Sequence, residues 1–178
     1  AVCLGAVWGV GPVVGRPGGA VPGDHRVAGP LYLASAGVVR TGQGLDRWGG
    51  RGLSGPTDVP GRGRVLIGAD PTGGVIGFCQ PARPWMFRRI GPGSLYWAEL
   101  DTWDGARADA FFANLFGYKQ RQIGDGIDVD YPTWSREGET MLGRLRMNEG
   151  WAGPDCAAHG RRHLTGTPKT GTDAVGDR

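Results

Sequence analysis

At 178 residues the chain is long enough for one ordinary domain or two small ones, and its balance of 20 Lys and Arg against 17 Asp and Glu is too slight and too dispersed for a nucleic-acid surface. Arg carries nearly all the positive charge, with Lys only at Lys119 and Lys169, a bias that a GC-rich coding sequence produces. The apolar run Ala1–Val14 is short, broken by Gly and Pro and without a basic start, and Cys3, Cys79 and Cys156 form no C-x-x-C pair. The expectation is therefore a cytoplasmic protein with no nucleic-acid or membrane partner.

Gly and Pro, 35 and 13 residues, are unevenly spread, and their distribution divides the chain. Residues 1–47 show no sustained period, and Gly-Pro and Pro-Gly pairs interrupt them every few positions. They are expected to be irregular or disordered. Leu31–Val39 could form a strand, but it lacks caps and a clear hairpin partner. Residues 50–58 read as a strand entering a turn marked by Pro60, Gly61 and Gly63. Arg64–Ala69 follows as a β-rich run, stopped by the reverse-turn string Asp70-Pro71-Thr72-Gly73, with Val75–Phe78 as the return strand. These strands make one unit, 48–82, followed by a linker over 83–93.

A second unit spans 94–151. Leu95–Thr102 alternates and reads as a strand. Asp104 sits where a carboxylate accepts the free amides of a first helical turn. Ala108, Phe111, Phe112, Leu115 and Phe116 then form one apolar helix face, and Gly117 suits a left-handed C-terminal cap. Strands are expected over Tyr118–Ile123, Ile127–Trp134 and Thr140–Met147, with a turn at Arg136-Glu137-Gly138. The order is βαβββ, within an α+β class. Residues 152–178 are again aperiodic and expected to be a disordered tail.

Trp97, Trp103, Tyr131 and Trp134 fall on expected strands, where alternate residues share a face, and are candidates to line a ligand pocket. The alternative is that the same rings fill the sheet-to-helix core. Met141, Leu145 and Met147 are assigned to a core or an interface. Cys156, His159 and His163 have the spacing of half a metal site, but Gly160 and the flanking composition argue against a helix, so a solvated tail is expected. His25 has no partner nearby. The glycine clusters lack the phosphate-loop pattern, and Cys79 is expected to be a packed small residue.

The strings Trp97–Asp104 (WAELDTWD), Ala110–Gly117 (AFFANLFG) and Gly63–Gln80 (GRVLIGADPTGGVIGFCQ) resemble the vicinal oxygen chelate superfamily, the fold of glyoxalase, bleomycin-resistance and extradiol dioxygenase proteins, and its tandem hydroxylase-like subgroup. The resemblance implies paired βαβββ modules. Residues 48–82 would be the last three strands of one module, its opening strand and helix missing, and 94–151 a complete module. Two accounts of the ends stand open: out-of-frame translation or fragment boundaries, and real disordered tails.

Family enzymes hold a divalent metal on the first and last strands of each module, and the matching positions here are Trp97 and Gly77. Neither supplies a lone pair to a divalent ion, so no metal and no cofactor are expected. Glu99 is a weak candidate for a catalytic acid. The reading is a metal-independent small-molecule-binding protein whose ligand, apolar or cationic, meets Trp97, Glu99, Trp103, Tyr131 and Trp134. The alternative is a glyoxalase-like lyase or dioxygenase-like metalloenzyme whose ligands lie in absent modules. The expected partner is a second copy, as a homodimer, or a missing module.

Overall fold

The computed structural model describes residues 4–5, 31–83, 95–150 and 152–164. It is an α+β protein with two helices among the described residues and two mixed sheets. The first sheet holds β1 (Leu4–Gly5), β2 (Tyr32–Ala34), β3 (Arg51–Val59), β4 (Gly63–Ala69) and β5 (Val75–Pro81), with α1 (Val38–Arg47) between β2 and β3. The second holds β6 (Leu95–Thr102), β7 (Lys119–Gln122), β8 (Pro132–Arg136), β9 (Glu139–Arg146) and β10 (His159–Leu164), with α2 (Gly105–Phe116) between β6 and β7. The strand orders are β1-β2-β5-β4-β3 and β10-β6-β9-β8-β7.

Each sheet is built on the same βαβββ unit. In both, the first strand of the unit runs parallel to the last, β2 beside β5 and β6 beside β9, and the remaining pairs are antiparallel. A parallel neighbour requires a crossover, and in each unit the helix and two strands supply it.

Two sequence expectations are corrected here. Residues 31–47 are not irregular: they supply β2 and α1, so the first βαβββ unit has its opening strand and helix. Helix α1 buries Val38, Thr41 and Leu45 on one side, although it contains Gly42 and Gly44. Its N-cap, Gly37, offers no side-chain oxygen. The first-turn amides are met from elsewhere, Gly37 N–H donating to Ser35 Oγ (3.0 Å) and Val38 N–H to Gln80 Oε1 (3.3 Å). Nor is the stretch after residue 152 wholly a disordered tail, because His159–Leu164 forms β10 against β6. The expectations for 1–3, 6–30 (His25 included), 84–94 and 165–178 fall outside the described residues.

Helix α2 begins and ends as its sequence implies. Asp104 Oδ1 accepts Arg107 N–H at 3.0 Å, and Gly117 takes the left-handed conformation with φ 70°. The strand expected over Ile127–Trp134 is shorter, starting at Pro132. Asp125 Oδ1 instead accepts the amides of Ile127 (2.8 Å) and Val129 (2.9 Å), closing a loop that leaves both apolar side chains exposed.

The two units share one core. Leu33, Val38, Leu45, Leu66 and Phe78 of the first cluster with Leu100, Phe111, Phe112, Trp134 and Leu142 of the second. Phe112 packs on Trp134 (centroids 4.6 Å apart), and Phe116 reaches Phe78 on the first sheet (5.9 Å). The helices come close at Gly44, where an added Cβ would lie 2.6 Å from Leu115 Cδ1 and that side-chain end would have to shift.

Beside this core Arg144 is buried, with Nη2 2.5 Å from Asp109 Oδ2 and Nη1 2.9 Å from Asp130 Oδ2. Asp109 Oδ1 also accepts Trp134 Nε1–H at 2.8 Å. Burial opposes the guanidinium charge, but the bonds to Asp109 and Asp130 outweigh it and leave its pKa above the ordinary arginine value. Removing one partner of such a pair strands a buried charge. Asp109→Ala should therefore cost about 3 kcal/mol, near the lower end for this class because Asp130 still faces Arg144. Urea denaturation reads this directly, and a loss below about 1 kcal/mol contradicts it.

Asp70 closes the turn between β4 and β5, its Oδ1 accepting Thr72 N–H, Thr72 Oγ1–H and Gly74 N–H at 2.7, 2.6 and 3.1 Å. Burial lifts its pKa above the usual 3.8, the turn's hydrogen bonds opposing in part. The folded chain therefore holds this proton to higher pH than the unfolded chain does. Its contribution to stability is full below 3.8 and declines as pH rises through the folded value. The stability difference between wild type and Asp70→Asn should fall across that window and level off above it; a flat difference contradicts the assignment.

Candidate functional site

Among the described residues, each sheet has a helix-covered face and a helix-free face. On β6 the alternation puts Ala98, Leu100 and Thr102 toward α2 and Trp97, Glu99 and Asp101 on the other side. Strand β10 pairs with β6 so that His163 lies opposite Trp97, Arg161 opposite Glu99, and His159 opposite Asp101. Three cation-capable side chains therefore share a face with two carboxylates.

The cluster is connected. Trp97 Nε1–H donates to Tyr131 Oη (2.7 Å), and Tyr131 O–H donates to Glu99 Oε2 (2.6 Å). Glu99 Oε1 meets His163 Nε2 at 3.1 Å and Arg161 Nη1 at 3.5 Å. Arg161 Nη2 approaches Asp101 Oδ2 to 2.6 Å, and His159 Nε2 lies 3.4 Å from the same oxygen. Neither of these last two contacts has the alignment of a hydrogen bond. Burial raises the pKa of Asp101, with Arg161 pulling it back and Glu99 adding to the rise. Burial, together with the bond to Glu99, holds the Tyr131 proton well above the ordinary phenol range, so the phenol is fixed as a donor.

Gly143 on β9, opposite Glu99, makes the arrangement possible. A Cβ there would collide with the Tyr131 hydroxyl and lie 3.0 Å from Trp97 Cζ2. Gly77 on β5 stands in the same relation to the Tyr32 ring of β2. On the first sheet's helix-free face Tyr32, Val65 and Cys79 are buried together beside Val59, and the polar Thr57 and Arg51 of β3 lie opposite Val65 and Ala69. Cys79 is a packed thiol, its pKa pushed up by burial.

Of the residues expected to meet a ligand, Trp97, Glu99 and Tyr131 come together. Trp134 does not: it is 1% exposed, faces α2 and belongs to the core, which corrects its assignment to the pocket. Trp103 is partly exposed past the end of β6, its Nε1–H donating to Cys156 O at 2.8 Å, apart from the Trp97 cluster. Met141 joins the core, as one of the two expectations for it held.

The sequence singles out His159 and His163 only as half a metal site set aside for a solvated tail, and does not single out Arg161; the structure places all three on β10. Their i, i+2, i+4 spacing is the strand signature of one shared face, but composition alone gave no reason to place a strand there. Among the described residues no group of three or more His, Cys, Asp or Glu is arranged to hold a metal ion. No described helix is long and apolar enough to cross a membrane. No known family model matches the chain, and no curated protein matches it.

Tyr131 Oη is the joint of this network. Tyr131→Phe leaves Trp97 Nε1 and Glu99 Oε2 without their partner in a half-buried setting, and should cost about 1–2 kcal/mol. An unchanged denaturation midpoint would show the hydroxyl to be dispensable.

Proposed function

We propose that the chain is a small-molecule-binding protein of the vicinal oxygen chelate type, taking a flat ligand on the helix-free face of the second sheet. The observation that carries this reading is the gathering of Trp97, Tyr131 and Glu99 on one helix-free face of a βαβββ unit whose first and last strands are parallel neighbours. A rigid, mostly apolar surface with a few fixed polar groups is the usual makeup of such sites. Here Trp97 and Tyr131 supply the ring surface, and the hydrogen bonds through Glu99 hold the rings in place before a ligand arrives. Binding in this reading comes from ring stacking and hydrogen bonding, with no step assigned to a metal.

The test is a screen of flat aromatic compounds against the full chain by thermal shift, followed by titration. Trp97→Ala should weaken any hit by about tenfold or more, corresponding to roughly 1.4 kcal/mol of lost stacking. Trp48→Phe, at the end of α1 on the other unit, should leave it unchanged. Elemental analysis of the purified chain runs alongside. Stoichiometric Zn, Ni or Fe would overturn the metal-independent reading in favour of a lyase- or dioxygenase-like enzyme.

A further inference from the structure

We infer that the ligand of this face is an aromatic compound carrying an acidic group, a carboxylate in the simplest case. The inference rests on the binding reading above and adds the charge of the ligand to it. Glu99, the obvious partner for a cationic ligand, is committed: Tyr131 occupies one oxygen, and His163 and Arg161 face the other. It is 7% exposed, and Asp101 beside it is fully buried. What reaches solvent over these carboxylates is the row on β10, with side chains of His159, Arg161 and His163 exposed by 36%, 42% and 33%.

A ligand on this face therefore meets the Arg161 guanidinium, flanked by two imidazoles, beside an aromatic surface, with the acids underneath. Arg161 is suited to the role. Its guanidinium presents five donors in a planar fork, is always charged, and is oriented by ion contacts with both Glu99 and Asp101. His163 lies opposite Trp97 in the β10–β6 register, which puts the ring surface and the β10 row carrying Arg161 side by side. A flat acid can set its ring against Trp97 and Tyr131 and its carboxylate toward Arg161.

The experiment compares three naphthyl probes on the full chain by calorimetry: 2-naphthoate, its neutral isostere 2-naphthamide, and a naphthyl trimethylammonium. The acid should bind about tenfold tighter than the amide at low salt. The gap should shrink as salt is raised to about 0.5 M, where exposed charges are screened. Arg161→Gln should abolish the preference and Arg161→Lys should retain most of it. The salt series on the unmodified chain decides the matter if the glutamine variant fails to fold. Equal binding of acid and amide, or tighter binding of the ammonium, overturns the anionic class and leaves the aromatic face standing. No binding by any of the three removes both.

Discussion

The aromatic contact between α2 and the two sheets governs the architecture. Phe112 and Phe116 lie on one side of α2, and between them they touch Trp134 on the second sheet and Phe78 on the first. A βαβββ unit has one helix to cover one face of its sheet, so a unit alone leaves much apolar surface in water. Joining the helix-covered sides in a single core resolves this for both units at once. It also decides where chemistry can occur, because the faces left over are the helix-free ones.

Those two faces have diverged while the frame beneath them stays the same. In each unit a glycine on the last strand admits a phenol ring, Tyr32 over Gly77 and Tyr131 over Gly143. In the first unit the ring settles in a small cluster with Val65 and Cys79. In the second the ring is tethered at its hydroxyl between an indole and a carboxylate. The repeated geometry is a matter of packing; the difference in side-chain chemistry separates a filled face from a candidate site.

Much of this was legible in the sequence, and the failures have physical causes. Helix α2 was readable because Asp104, the Phe111/Phe112 face and Gly117 agree at every level. Helix α1 was not, because its first amides are satisfied by Ser35 and by Gln80, 42 positions away, and its Gly44 serves helix contact rather than helix breaking. Trp134 and Tyr131 part company because Trp134 lies on β8 with its ring in the core, while Tyr131 precedes that strand, whose start the residue pattern does not reveal. Strand β10 was lost because Gly- and Arg-rich text carries no apolar alternation. Its placement comes from pairing with β6 and from carboxylates that only the fold brings under it.

The two carboxylates also explain why a polar strand can occupy a sheet edge at all. Asp101 and Glu99 are nearly removed from water, and uncompensated charges in such positions would be strongly destabilising. Strand β10 answers with a guanidinium between two imidazoles at every second residue, so each side chain on that face meets an acid on β6. An apolar strand could pair with the β6 backbone equally well but would leave Asp101 unanswered and Glu99 with Tyr131 alone. The backbone ladder thus sets the register while the charges select the sequence that can occupy it. The same contacts fix Arg161 from below, so the part of its side chain that faces solvent is already oriented, and an oriented cation beside a tethered ring is what a preformed site for a flat acid requires.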